Sequence, residues 1–201
     1  VSKVPLDEAS VGPDPLSQVR RWLEEAFAAR IPNADAMALA TATAGGRPAA
    51  RFVLLKGIEA DGFVFYTNTE SRKGRELAEN PRAAIALYWV ALGRQVRAAG
   101  RVEQLPRAAA EAYFATRPAG SRLAAAISRQ SQPVESRHEL ERRYAELGAA
   151  HPEDVPMPPD WGGYRIDPDE IELWEHRENR LHDRLRYTRA ADGWRLERLQ
   201  P

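Results

Sequence analysis

Short strand-forming stretches, cut at close intervals by tight-turn dipeptides, constrain this chain more than any other feature. Residues 36–43 are small and apolar, and Gly45 and Gly46 mark a turn before a second run at 49–58. Asp61 and Gly62 turn the chain into 63–67. A short helical stretch at 71–79, stopped by Asn80 and Pro81, precedes further runs at 83–90 and 95–105. Near the end, 184–189 and 194–199 flank Asp192 and Gly193, the strongest hairpin signal in the chain. Such spacing predicts an antiparallel barrel or sandwich.

Helical periodicity frames these strands. Asp14 is a good N-cap with Pro15 at the first helical position, and Leu16, Val19, Trp22, Leu23, Ala26 and Phe27 then recur on one face until about Arg30. Helical texture returns at 107–117, 121–127 and 135–147, before a proline-rich connection at 152–161 and strand character at 164–166 and 171–174. The reading is one α+β domain, 14–201, built on an antiparallel barrel and preceded by a flexible arm, 1–13.

Composition narrows the function classes. The 29 basic and 29 acidic residues cancel, which argues against bulk attraction to nucleic acid or an anionic membrane. With no cysteine there is no disulfide framework, thiolate metal site or cysteine nucleophile. No apolar run approaches a bilayer span and residues 1–15 lack a signal-peptide pattern, so a cytoplasmic location is expected. Lysine occurs only at Lys3, Lys56 and Lys73 against a background of arginine.

Four stretches could carry chemistry. Arg180, His182 and Arg184 share one face of a segment read as extended, with Leu181 and Asp183 on the other. Ser71 is a plausible N-cap that puts Arg72 and Lys73 in a first helical turn, where cations oppose the helix dipole but suit a phosphate. Tyr113 and Arg117 share a helix face, and Ser121 opens the next helix, forming a second candidate anion site. Between Arg51 and Lys56, Phe52, Val53, Leu54 and Leu55 are apolar on both faces and are expected to be buried. His138, His151, His176 and His182 show no metal-ligand spacing, and no dinucleotide or phosphate-loop glycine motif occurs. An enzyme of this composition therefore calls for a bound cofactor to do the hard chemistry.

Read jointly and in order, these motifs form a specific set. Arg51 to Lys56, Phe65-Tyr66-Thr67-Asn68, Ser71-Arg72-Lys73, Arg94-Gln95-Val96, Tyr113-Phe114, Ser121, Gln130-Ser131, Trp161-Gly162-Gly163 and Arg180-Leu181-His182-Asp183-Arg184 together resemble the pyridoxine/pyridoxamine 5'-phosphate oxidase family. The resemblance runs from about residue 14 to 201. It implies an FMN-binding split β-barrel of Greek-key type, working as a homodimer with flavin sites at the subunit interface. It also implies oxidation of pyridoxamine or pyridoxine 5'-phosphate to pyridoxal 5'-phosphate, with O2 as acceptor and H2O2 as product.

By the same resemblance, FMN contacts fall to Arg51, Phe52, Val53, Leu54, Leu55, Lys56, Tyr66, Thr67, Arg72, Lys73, Gln95, Gln130, Ser131, Trp174 and Arg184. The substrate phosphate falls to Lys56, Tyr113, Arg117 and Ser121, and the substrate ring to Arg180, Leu181 and His182, with Arg180 and His182 as catalytic groups. The chain departs from the family pattern at Ala124-Ala125-Ala126, usually Gly-Ala-Trp, and at Glu175-His176, usually Gln-Gly. The departures motivate two alternatives: a split-barrel oxidase of the phenazine-biosynthesis type acting on another ring, and a non-catalytic flavin- or vitamer-binding protein.

Overall fold

The structure is a computed structural model describing residues 5–59, 61–151 and 154–201. Residues 1–4 of the expected arm and 152–153 of the expected proline-rich connection lie outside the described residues. Among the described residues, nine strands form one curled antiparallel sheet. They are β1 (Ala36–Ala42), β2 (Pro48–Leu54), β3 (Gly57–Glu59), β4 (Gly62–Asn68), β5 (Arg82–Trp89), β6 (Arg94–Gln104), β7 (Trp161–Glu175), β8 (Asp183–Ala190) and β9 (Gly193–Arg198). The order is β2-β1-β5-β6-β7-β4-β3, with the β8–β9 hairpin attached to β7. The helices are α1 (Pro15–Ala28), α2 (Arg72–Glu79), α3 (Arg107–Thr116), α4 (Ala119–Ile127) and α5 (Arg137–Ala150). The expected α+β antiparallel barrel is what forms.

Alternation inside the strands builds the core. Met37 and Leu39 of β1, Ile85 and Leu87 of β5, and Ile166, Ile171 and Leu173 of β7 turn inward and are almost fully buried. α1 closes this core with Leu16, Val19, Trp22 and Ala26, which follow the helical period. Full burial of such side chains contributes about 1.5–3 kcal/mol each. Asp14 caps the helix, accepting from the backbone N–H groups of Leu16 and Ser17 at 3.1 Å each. Trp89 lies on the same buried face of β5 as Ile85 and Leu87, and its indole N–H is satisfied by the Ala34 carbonyl at 2.8 Å.

The expected run at 49–58 is broken, because the chain changes partners within it. β2 pairs only with β1, whereas β3 pairs only with β4. Between them, Leu55 N–H donates to the Asp35 carbonyl and Lys56 N–H to the Val64 carbonyl, both at 2.8 Å. This crossing is a seam in the barrel. The expected burial of residues 52–55 holds for Leu55 and in part for Val53, which packs against the core, but not for Phe52 and Leu54, which are 76% and 46% exposed. β2 is a terminal strand of the sheet, and among the described residues its Phe52 and Leu54 face remains uncovered.

Two strand-like segments expected at 164–166 and 171–174 are one strand. β7 runs unbroken because Pro168 sits opposite Gly100, where the β6–β7 register shifts. A Cβ on Gly100 would lie 2.0 Å from the Asp167 carbonyl oxygen, so only glycine permits this approach. Pro168 also falls where pairing on the other edge switches from β4 to β8, so its missing N–H costs no ladder bond there.

Residues 5–13 are not the loose arm that their lack of periodicity suggested. Leu6 and Val11 are buried against the barrel core. Arg198 reaches the Leu6 carbonyl at 3.1 Å and the Glu8 carboxylate at 2.8 Å, while the Tyr187 hydroxyl donates to the Gly12 carbonyl at 2.7 Å. Two anchoring side chains in nine residues carry no repeat that a sequence pattern could reveal. Tyr187→Phe is expected to lower stability by about 1 kcal/mol and to speed amide hydrogen exchange in residues 5–13, leaving β5 and β6 protected.

Candidate functional site

A cleft of about 840 Å3 opens at the seam. β2 and β4 supply its floor, and α2, α3, α4 and the loop after α4 supply its walls. It gathers Arg51, Phe52, Val53, Leu54, Lys56, Tyr66, Thr67, Arg72, Lys73, Tyr113, Arg117, Ser121, Gln130 and Ser131, so most of the residues singled out from sequence share one concavity. Leu55 is not among them; it is 3% exposed and belongs to the core.

At one side of the cleft lies the N-terminus of α2. Ser71 caps it, its hydroxyl accepting from Gly74 N–H at 3.4 Å, and the Arg72 N–H donates to the Ser131 hydroxyl at 3.2 Å. Lys73 turns inward to 7% exposure and, among the described residues, donates to neutral oxygens: Gln130 at 2.6 Å, Thr67 at 3.0 Å and Ser71 at 3.1 Å. Burial, reinforced by the nearby Arg51 charge, pushes its ammonium down to about 8. A buried cation at a helix N-terminus, with no carboxylate bonded to it among the described residues, is matched to an anionic ligand.

Glu76 holds the neighbouring arginines in place. Its buried carboxylate accepts from Arg51 at 3.2 Å, from Arg72 at 2.8 Å and from the Thr41 hydroxyl. Burial alone would raise this carboxyl, but the three hydrogen bonds outweigh it and hold it below the usual range. The dipole-opposed placement of Arg72 is thus offset by an i,i+4 partner as well as by whatever anion the cleft takes.

The cleft's other side is aromatic and cationic. Arg117 lies over the Trp161 ring at 4.3 Å, and one terminal nitrogen, Nη1, is buried without a hydrogen-bond partner. Burial pushes this guanidinium below its ordinary value. An orphaned guanidinium N–H costs free energy unless an acceptor arrives. Tyr113 stacks on Tyr66 with ring centroids 4.0 Å apart and not on Arg117. Gly163, opposite Tyr66 in the β4–β7 register, leaves room for that ring; a Cβ there would come within 2.7 Å of it. Lys56 pairs with Asp35 at 2.7 Å at the cleft edge.

A second group lies apart from this cleft. Gln95, Trp174 and Arg184 are cross-strand neighbours at the far end of β7, separated from Trp161 by roughly 40 Å of strand path. Arg184 donates to Glu172 at 2.8 Å and 3.1 Å. The expected extended row at Arg180, His182 and Arg184 does not exist. Residues Glu178–Arg180 form a 3₁₀ turn in which Asn179 and Arg180 have φ of 55° and 61°, and β8 begins only at Asp183. Alternation of faces therefore fails there. The turn instead brings Trp174, Arg180 and His182 around a smaller cleft, with Leu181 exposed outside it.

Several side chains at the main cleft were not visible as site residues in the sequence. Glu76 could have been found from its i,i+4 relation to Arg72, whereas Thr41 and Asp35 carry no local signal. Glu175, a departure from the usual family residue, is explained by packing: it is 2% exposed and ion-paired with Arg94 at 3.1 Å and Arg177 at 2.8 Å.

This curled barrel with its seam cleft is a known class of fold. It superposes on a pyridoxamine 5'-phosphate oxidase-related, FMN-binding protein of Nostoc punctiforme with a TM-score of 0.77, at 21% identity over 95% of this chain and 100% of that one. It also superposes on PhzG of Burkholderia lata, solved with tetrahydrophenazine-1-carboxylic acid, with a TM-score of 0.94, at 36% identity over 99% and 98% of the chains. The fold is the split barrel.

The family profile described as pyridoxamine 5'-phosphate oxidase matches residues 23–175, and that of the pyridoxine 5'-phosphate oxidase C-terminal dimerisation region matches 161–201. Pyridoxine/pyridoxamine 5'-phosphate oxidases of Burkholderia cenocepacia and Rubrobacter xylanophilus are 51% and 56% identical, over 100% and 98% of this chain and 95% and 91% of their own lengths. The chain belongs to the pyridoxamine 5'-phosphate oxidase family, a family of oxidoreductases.

Glu76→Gln should destabilise the fold by roughly 1.5–3 kcal/mol at pH 7, as a buried charged acceptor is lost. Because the native carboxyl is held low, its contribution is complete above the unfolded value near 4.3 and disappears as pH falls through the native value. Urea unfolding of both proteins should show a constant gap from pH 7 to about 5 that narrows below about 4.

Proposed function

We propose that the protein is an FMN-dependent oxidase of pyridoxamine or pyridoxine 5'-phosphate. The observation that carries the reading is that two cationic anion sites, one at Arg72 and Lys73 and the other at Arg117, face a single cleft. Two phosphates, one on the cofactor and one on the substrate, account for both. The names of the relatives and the family profile support the same assignment.

The residues present fit FMN: the buried ammonium of Lys73 and the N-terminus of α2, with Arg72 beside them, would hold its phosphate. Bound there, FMN supplies a two-electron acceptor that O2 can reoxidise, which no side chain of the cleft offers. Arg117, Lys56, Tyr113 and Ser121 hold the substrate phosphate and thereby fix the orientation of its ring. The alcohol and O2 give aldehyde and H2O2; the amine and O2 also consume water and release ammonia.

A homodimer completes the site in this reading. The exposed face of β2, with Phe52 and Leu54, receives a second copy, which brings in Gln95, Trp174, Arg180, His182 and Arg184 from the far end of its β7–β8 region. The dimerisation profile over 161–201 supports that arrangement.

The deciding experiment supplies the purified, FMN-loaded protein with pyridoxine 5'-phosphate and oxygen. Aldehyde and peroxide in equal amounts are expected. A reduced phenazine carboxylate oxidised instead, with no turnover of the B6 phosphate, would assign the phenazine-type reaction suggested by the fit to PhzG. Tight binding of pyridoxal 5'-phosphate without turnover would mark a binding protein.

Arg117→Ala should lower kcat/KM for the phosphorylated substrate by about 10–100-fold while retaining flavin. Lys73→Met should do the reverse, weakening FMN by a similar factor. Because the free Lys73 ammonium titrates near 8 and an anion raises it, FMN binding should take up a proton above that pH. Affinity should then fall as pH rises past about 8, measurable by calorimetry in buffers of different ionisation enthalpy.

A further inference from the structure

The sequence departs from its family at His176, and the tertiary structure gives that residue a specific neighbour. The turn at Glu178–Arg180 folds the chain back so that residues 176 and 182 meet. The imidazoles of His176 and His182 lie with centroids 5.1 Å apart, and both approach the Trp174 indole, at 6.2 Å and 4.6 Å. The backbone N–H of Arg177 donates to His182 Nδ1 at 3.1 Å. A nitrogen that accepts from an amide holds no proton, so this bond selects the tautomer protonated on Nε2 and leaves Nε2 as the ring's only donor.

We propose that His176 is a positioning residue for His182: packed beside that ring on the Trp174 face, it keeps the imidazole seated on the Arg177 amide as a neutral Nε2–H donor to the substrate. The inference rests on the oxidase reading in so far as His182 serves the substrate ring. The surroundings favour the neutral form. Around this cleft, Arg180 and Arg177 are cationic and Glu178 is anionic. The Arg177 guanidinium, however, is engaged with Glu175 at 2.8 Å and Asp183 at 2.6 Å, so those two carboxylates are already paired. Asp183 is shared further with Arg198 at 3.0 Å. Partial burial, and then the charges of His176 and Arg180, hold His182 below the ordinary histidine range. A second proton on His182 would break its bond to the amide and face His176 and Arg180 as well.

A neutral donor suits the chemistry. It can hydrogen-bond an oxygen or nitrogen of the substrate ring system without adding a full charge beside the neighbouring Arg180. A glycine at 176 would leave the His182 ring without its partner on that side.

The test is a nitrogen-detected imidazole NMR titration of the FMN-loaded protein, with His176→Ala and His176→Phe compared with wild type. Wild type should show His182 as the Nε2–H tautomer at neutral pH. In His176→Ala its titration should move upward, because the imidazole beside it is lost, and the second tautomer should appear. The acid limb of the kcat/KM profile should move upward with it. His176→Phe, which keeps a packed ring but no ionisable group, should preserve the tautomer and lose the charge-dependent part of the shift. An unchanged His182 titration and tautomer in both variants overturns the proposal, whatever happens to activity. If the NMR changes occur in a protein that does not oxidise a B6 phosphate, the oxidase reading fails and the His176–His182 pairing stands.

Discussion

The structure depends on one strand being hydrogen-bonded along both edges. β7 pairs with β6 from Tyr164 to Glu175, and on its other edge first with β4 and then with β8. Removing it would separate the barrel from its terminal hairpin and leave β4 without its long partner. Such a strand must satisfy two ladders at once, and the single place where the ladder on one edge changes hands is where Pro168 and Gly100 face each other. A proline is tolerated there because neither β4 nor β8 pairs with it on that edge. The same arrangement sends Trp161 to the seam cleft and Trp174 to the opposite end, which is why the candidate site residues form two groups in one chain.

The main cleft follows from electrostatics imposed by that frame. α2 is packed so that its first turn faces the seam, and Lys73 is consequently buried among neutral oxygens. Glu76, one turn later, steadies Arg51 and Arg72, and leaves Lys73 without a carboxylate partner. On the opposite wall Arg117 stacks on Trp161 and retains an unpaired Nη1. Both cations are destabilised by burial in the free protein. Their joint presence in one concavity is harder to reconcile with a purely structural role than either cation alone.

Much of this was legible in the chain. Turn dipeptides at Gly45-Gly46, Asp61-Gly62 and Asp192-Gly193 marked hairpins, and alternation or helical spacing marked the elements between them, because these signals are local. Ser71 as a cap, and Tyr113, Arg117 and Ser121 as a set, were also readable, since helix geometry relates residues a few positions apart. Reading Arg180, His182 and Arg184 as one face failed because two consecutive residues with positive φ interrupt the strand, and neither is a glycine that would have announced it. Phe52 and Leu54 were expected inside because apolarity alone does not reveal which sheet edge remains uncovered.

The sequence by itself determined the class of fold, the turn positions and the identity of most groups in the main cleft, all of which rest on short-range stereochemistry or on an ordered motif set. Tertiary structure alone decided which of those groups meet. It fused two strand segments into β7, docked residues 5–13 on Arg198 and Tyr187, and split the site into a seam cleft and a His176–His182 cleft. It also gave Lys73 its lowered proton affinity, because desolvation depends on what packs around an ammonium and not on which residues precede it.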